Sequence, residues 1–90
     1  MSRDIYKYEF SVNIPIQDVE QSLDLSVLTA ESLHGRPQVR LDASFYLERE
    51  QRACIIDAGT EVGRNIASIF TGFLTSEFGE EAFKVKRIFR

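Results

Sequence analysis

The chain has one cysteine, Cys54, and one histidine, His34. A lone thiol excludes an internal disulfide, and with one imidazole it excludes a local site built from several such ligands. No metal and no cofactor is expected. Basic residues are outnumbered eleven to fourteen, giving a net charge of -3. The chain thus lacks the cationic excess that nucleic acid or an anionic membrane attracts, and neither is expected as a partner. Long apolar runs are lacking too, so no segment is expected to span a bilayer. Met1 to Pro15 has neither a continuous apolar core nor a small-residue cleavage site, so no signal peptide is expected. These absences point to a cytoplasmic protein in a reducing compartment. A chain of 90 residues buries only about two-thirds of its surface on folding, which allows one modest core. Residues 1–90 are read as a single small domain.

What is present is alternation. Tyr6, Tyr8, Phe10, Val12 and Ile14 share one parity, with Lys7, Glu9, Ser11 and Asn13 between them. Period two with aromatic and β-branched residues predicts a half-buried strand from Ile5 to Ile14, ended by Pro15. Ile16, Val19, Leu23, Val27 and Ala30 then recur at steps of three and four, the stripe of an amphipathic helix running to His34. Leu25, Leu28 and Leu33 widen that stripe, which predicts cover on more than one side. Gly35 suits the position after the helix, and Pro37 is read as blocking its resumption.

A second alternation, Val39, Leu41, Ala43, Phe45 and Leu47, predicts another strand. A short polar stretch joins it as a hairpin to Ala53–Asp57, which is apolar on both faces and so central in a sheet. Thr60 is a candidate N-cap for a second helix carrying Val62, Ile66, Phe70 and Leu74, closed by Gly79. Phe83 and Val85 alternate with Lys84 and Lys86 in a last strand.

The order β-α-β-β-α-β resembles the ferredoxin-like plait, an α+β two-layer sandwich. That architecture implies antiparallel sheet order 4-1-3-2 and, with right-handed crossovers, both helices on one face. An antiparallel meander with packed helices is the alternative. The plait hosts many activities and by itself implies none.

Two surfaces follow. The first is the open sheet face, with Lys7, Glu9, Arg40, Asp42, Lys84 and Lys86 around an apolar centre assigned to Cys54 and Ile56, beside Tyr46. An apolar centre with a polar rim is the pattern of a docking surface. The leading expectation is a non-catalytic protein-interaction or homodimerisation module. The second surface lies where chain direction brings the end of the first helix to the start of the second. His34 and Arg36 are expected there near Gly59, Thr60, Gly63 and Arg64, with Arg3 and Arg90 within reach. A helix N-terminus attracts anions, so the alternative function is binding of an anionic metabolite or phosphate. Capping by Thr60 explains the same residues without a ligand.

Other chemistry finds no support. Gly59 and Gly63 lack the spacing and the Gly-Lys-Ser/Thr end of a phosphate-binding loop. The third strand lacks the stacking aromatics of RNA-recognition modules. No Cys-x-x-Cys pair stands in the first loop. Cys54 reads as a small apolar filler, Asp57 as a turn cap, and no nucleophile pairs with a base.

Overall fold

A computed structural model describes residues 4–89. The elements are β1 (Asp4–Phe10), α1 (Ile16–His34), α2 (Arg36–Asp42), β2 (Phe45–Glu48), β3 (Ala53–Asp57), α3 (Glu61–Phe78), a 3-10 turn (Glu80–Ala82) and β4 (Phe83–Phe89). The four strands form one antiparallel sheet ordered β2-β3-β1-β4. The class is α+β, and α1 packs against α3 over the sheet. Among the described residues no helix is long and apolar enough to cross a membrane.

β1 is shorter than the alternation implies. Beyond Phe10 the chain turns, and Val12 is 82% exposed while Ile14 is buried. Arg52 explains the turn. Its guanidinium donates to the carbonyl oxygens of Ser11, at 2.6 Å, and Ile14. Arg52 itself closes the β2–β3 hairpin with φ at +53°, a left-handed conformation that a side chain rarely adopts.

The stretch after Gly35 corrects the sequence reading. Val39, Leu41 and Ala43 are not strand residues. Val39 and Leu41 lie on α2, and Ala43 caps its end. Pro37 does not prevent a helix here; it begins one, because the first turn needs no N–H from it and its fixed φ is already helical. Gly35, at φ +87°, makes the break between α1 and α2. Val39 is buried and Leu41 is 81% exposed, as one helical face requires and one strand face does not. Arg40 and Asp42 therefore leave the sheet face assigned to them.

α1 also buries an unexpected stripe. Val19, Leu23 and Ala30 are in the core, but Ser22 and Ser26 join them, and Leu25, Leu28 and Leu33 lie exposed. The serines satisfy themselves within the helix layer. Ser26 donates to the Ser22 carbonyl at 2.7 Å, and Ser22 Oγ donates to Glu77 of α3 at 3.0 Å. Small polar residues at the seam let the two helices approach closely, and the leucines are left outside.

The core centres on Tyr8. It is 1% exposed, with its ring 5.0 Å edge-on from Phe70 and 6.4 Å from both Phe10 and Phe83. Its hydroxyl meets Thr71 Oγ1 at 2.8 Å and the Ala67 carbonyl at 3.2 Å. At the other end of α3, Gly63 lies against the end of β3. A Cβ built there would stand 1.9 Å from the Asp57 carbonyl oxygen. Gly63→Ala is therefore expected to lower unfolding free energy by about 3 kcal/mol, since backbone must move to admit the methyl. Gly72, with open space around its Cβ position, is the control. Gly72→Ala in mid-helix is expected to raise stability by about 0.5–1 kcal/mol. Urea denaturation of both variants checks the pair.

Candidate functional site

At the start of α3, Gly59, Thr60, Gly63 and Arg64 make contacts within the fold, and His34 reaches this end of the helix. The Asn65 side-chain amide and His34 Nε2 lie 2.6 Å apart, so the end of α1 does meet the first turns of α3. Thr60 Oγ1 accepts from the Gly63 amide at 3.0 Å and donates to the Asp42 carbonyl at 3.0 Å, joining α2 to α3. The Gly59 amide donates to Asp57 Oδ1 at 2.8 Å, a local Asx turn. Arg64 reaches the Ala58 carbonyl at 3.4 Å. Arg36, largely exposed, lies 3.9 Å from Glu31 on α1. Turn and capping contacts engage Gly59, Thr60 and Gly63, whereas His34 and Arg36 meet the side chains of Asn65 and Glu31 and Arg64 makes one long contact to a backbone carbonyl. Arg3 and Arg90 lie outside the described residues. Among the described residues no three of His, Cys, Asp and Glu gather as metal ligands.

The open sheet face differs from the expectation at its centre. The register pairs Cys54 with Tyr8 and with Leu47, and Ile56 with Tyr6 and with Phe45. These residues point toward the helices, and Cys54 and Ile56 are fully buried. Their assignment to the open face is therefore corrected. A strand apolar on both sides gives no signal of its phase, and the phase chosen from the sequence was off by one residue. The residue that faces out is Ile55, level with Tyr46 on β2 and Lys7 on β1. One step along, Ile5 pairs with Ile88 of β4. Tyr46, Ile55, Ile5 and Ile88 thus form a diagonal apolar band across all four strands.

Charge on that face is sorted by strand. Glu48 is on β2 and Asp57 on β3, whereas Lys84 and Lys86 are on β4 and Lys7 is on β1. Glu9 of β1 stands among the cations and lies 3.2 Å from Lys86. Tyr46 donates to Glu48 at 3.0 Å, and that carboxylate raises the phenol above its ordinary pKa. The β2 edge of the face is acidic and the β4 edge basic.

A third feature was not legible in the sequence. On the helix side of the sheet, a groove of about 420 Å³ runs between α3 and β4. Tyr6, Tyr8 and Val85 line its strand side, and Arg64, Ala67, Ser68 and Thr71 line its helix side.

No protein-family model matches the chain, and no curated protein matches it.

The buried titratable groups give the site region a definite pH response. Burial pushes the Cys54 thiol and the Tyr8 phenol each up to about 12. Both ionise earlier in the unfolded chain, at their ordinary values of 9.0 and 10.0. Their contribution is whole below about pH 9 and is lost as pH rises toward about 12, because deprotonation then favours the unfolded state. The urea midpoint is expected to fall between about pH 8 and about pH 11. In a Tyr8→Phe/Cys54→Ala double variant the fall is expected to be shallower. An equal fall in both proteins would contradict this assignment.

Proposed function

We propose that the chain is a ferredoxin-like, non-catalytic interaction domain that pairs with a second copy of itself through the open sheet face. The sorted charge on that face carries the reading. A two-fold axis parallel to the strands, lying between two stacked faces, sets β2 of one copy over β4 of the other. Glu48 then meets the partner's Lys84, and the Tyr46 ring meets the partner's Lys86, an arrangement suited to cation–π attraction. Ile55 and Ile5 lie on the two central strands, so both copies contribute them beside the axis. The same operation sets Ile55 over the partner's Lys7, whose aliphatic stem covers it, and Ile5 beside the partner's Asp57, so the centre interleaves isoleucines with one opposite pair of charges inside the charged rim. The same patch serves both copies, as an isologous interface requires.

The size of the face sets the strength. Strand spacing of about 4.8 Å and a rise of about 3.3 Å per residue give four strands of this length a face about 20 Å across. That is the scale of weak, exchanging association rather than of an obligate dimer. Edge-to-edge pairing through β4 is disfavoured by its own charges, since Lys84, Lys86 and Arg87 crowd one seven-residue strand.

Sedimentation equilibrium tests the arrangement. Wild type is expected to dimerise with rising concentration and to weaken with added salt. Glu48→Lys and Lys84→Glu are each expected to weaken association about tenfold, and the double exchange is expected to restore most of it. A wild type that stays monomeric through the millimolar range overturns the proposal. A double exchange that restores nothing overturns the geometry.

A further inference from the structure

The groove between α3 and β4 has its own chemistry. It lies on the opposite side of the sheet from the face proposed for pairing. Val85 belongs to the helix side of the sheet, paired with Tyr8, yet it remains 43% exposed. The helix layer does not close over this edge of the core. The floor is aromatic and aliphatic, and the volume of about 420 Å³ suits a small organic molecule.

Polar recognition in the groove falls to two groups. Thr71 donates to the Ala67 carbonyl at 2.8 Å and contacts the Tyr8 hydroxyl, so these hydroxyls are engaged with each other and with the backbone. Arg64 and Ser68 stand one helical turn apart and both line the groove. Among the described residues, Arg64 makes a long contact, at 3.4 Å, to a backbone carbonyl. Nearby on β4, Arg87 is held by Asp4 at 2.6 Å, which cancels its charge at that end of the sheet. Arg64 is the cation lining the groove. A guanidinium presents a planar fork matched to a carboxylate, and the hydroxyl beside it supplies a further donor. The apolar part of such a ligand meets Tyr6, Ala67 and Val85.

We propose that this groove binds a small carboxylate with a flat apolar body, an arylcarboxylate, with its carboxylate on Arg64 and Ser68 and its ring between Tyr6 and Val85. The site is independent of self-association, because the sheet separates the two surfaces.

Titration with 2-naphthoate, followed by backbone amide chemical shifts, tests the site. The neutral isostere 2-naphthamide is the comparison ligand. Naphthoate is expected to move the amides of Arg64, Ala67, Ser68 and Val85, with naphthamide binding about tenfold more weakly. Arg64→Gln is expected to remove that preference and leave naphthamide binding unchanged. Val85→Trp, which fills the groove from an exposed position, is expected to block both ligands while the spectrum stays folded. Equal binding of the two ligands to wild type overturns the proposal. So does a preference that survives in Arg64→Gln, or a shift pattern confined to Ile5, Ile55 and Ile88.

Discussion

Tyr8 is the interaction on which the rest of the arrangement depends. It lies in the middle of a central strand, and its ring contacts Phe10, Phe70 and Phe83. A buried phenol demands a partner for its hydroxyl, and it finds Thr71 and the Ala67 carbonyl on α3. That bond fixes the height and rotation of α3 above β1. Once α3 is fixed there, Gly63 must abut the end of β3, and α1 must take the remaining ground beside it. The helix side of β4 then stays partly bare. The groove at that edge is thus a consequence of how the core is tied.

A second tie works from the loops. Arg52 closes the β2–β3 hairpin in a left-handed conformation and clamps the turn after β1 through the carbonyl oxygens of Ser11 and Ile14. The hairpin and the β1–α1 turn are far apart in sequence but share one guanidinium. This joins the register of β3 to the entry of α1. It also shows why Ser11 to Asn13 could not continue the strand, although their alternation is as good as that of the residues before them.

Much of the architecture was legible from the residues. Tyr6, Tyr8 and Phe10 alternate because one side of β1 is core, and Val62, Ile66, Phe70 and Leu74 recur at helical spacing because one side of α3 is core. Thr60 was recognisable as a cap from its place before that run. What failed did so for physical reasons. Val39, Leu41 and Ala43 obey period two by chance, and in so short an element period two and a single helical turn are hard to separate. Leu25 and Leu28 looked like core because of their chemistry. The seam instead selected Ser22 and Ser26 for their size, which hydrophobicity does not report. The centre of the open face was misplaced because Ala53 to Ile56 is apolar at every position, so only the pairing with β1 could decide which side faces out. The groove involves Tyr6, Ser68 and Val85, residues of three separate elements, and no local pattern joins them. At the pole of α3, His34 meets Asn65 and Thr60 bonds to both Gly63 and the end of α2, contacts between elements that no local pattern in the sequence reports.

The burial of Cys54 has one more consequence. Its sulfur sits on the middle strand pair, on the helix side of the sheet, with no exposed surface. A reagent that attacks thiols cannot touch it until β3 parts from its neighbours or the helical roof lifts. The speed at which the native protein is labelled therefore reports how readily that local opening occurs, and the molecule carries a clock for its own breathing.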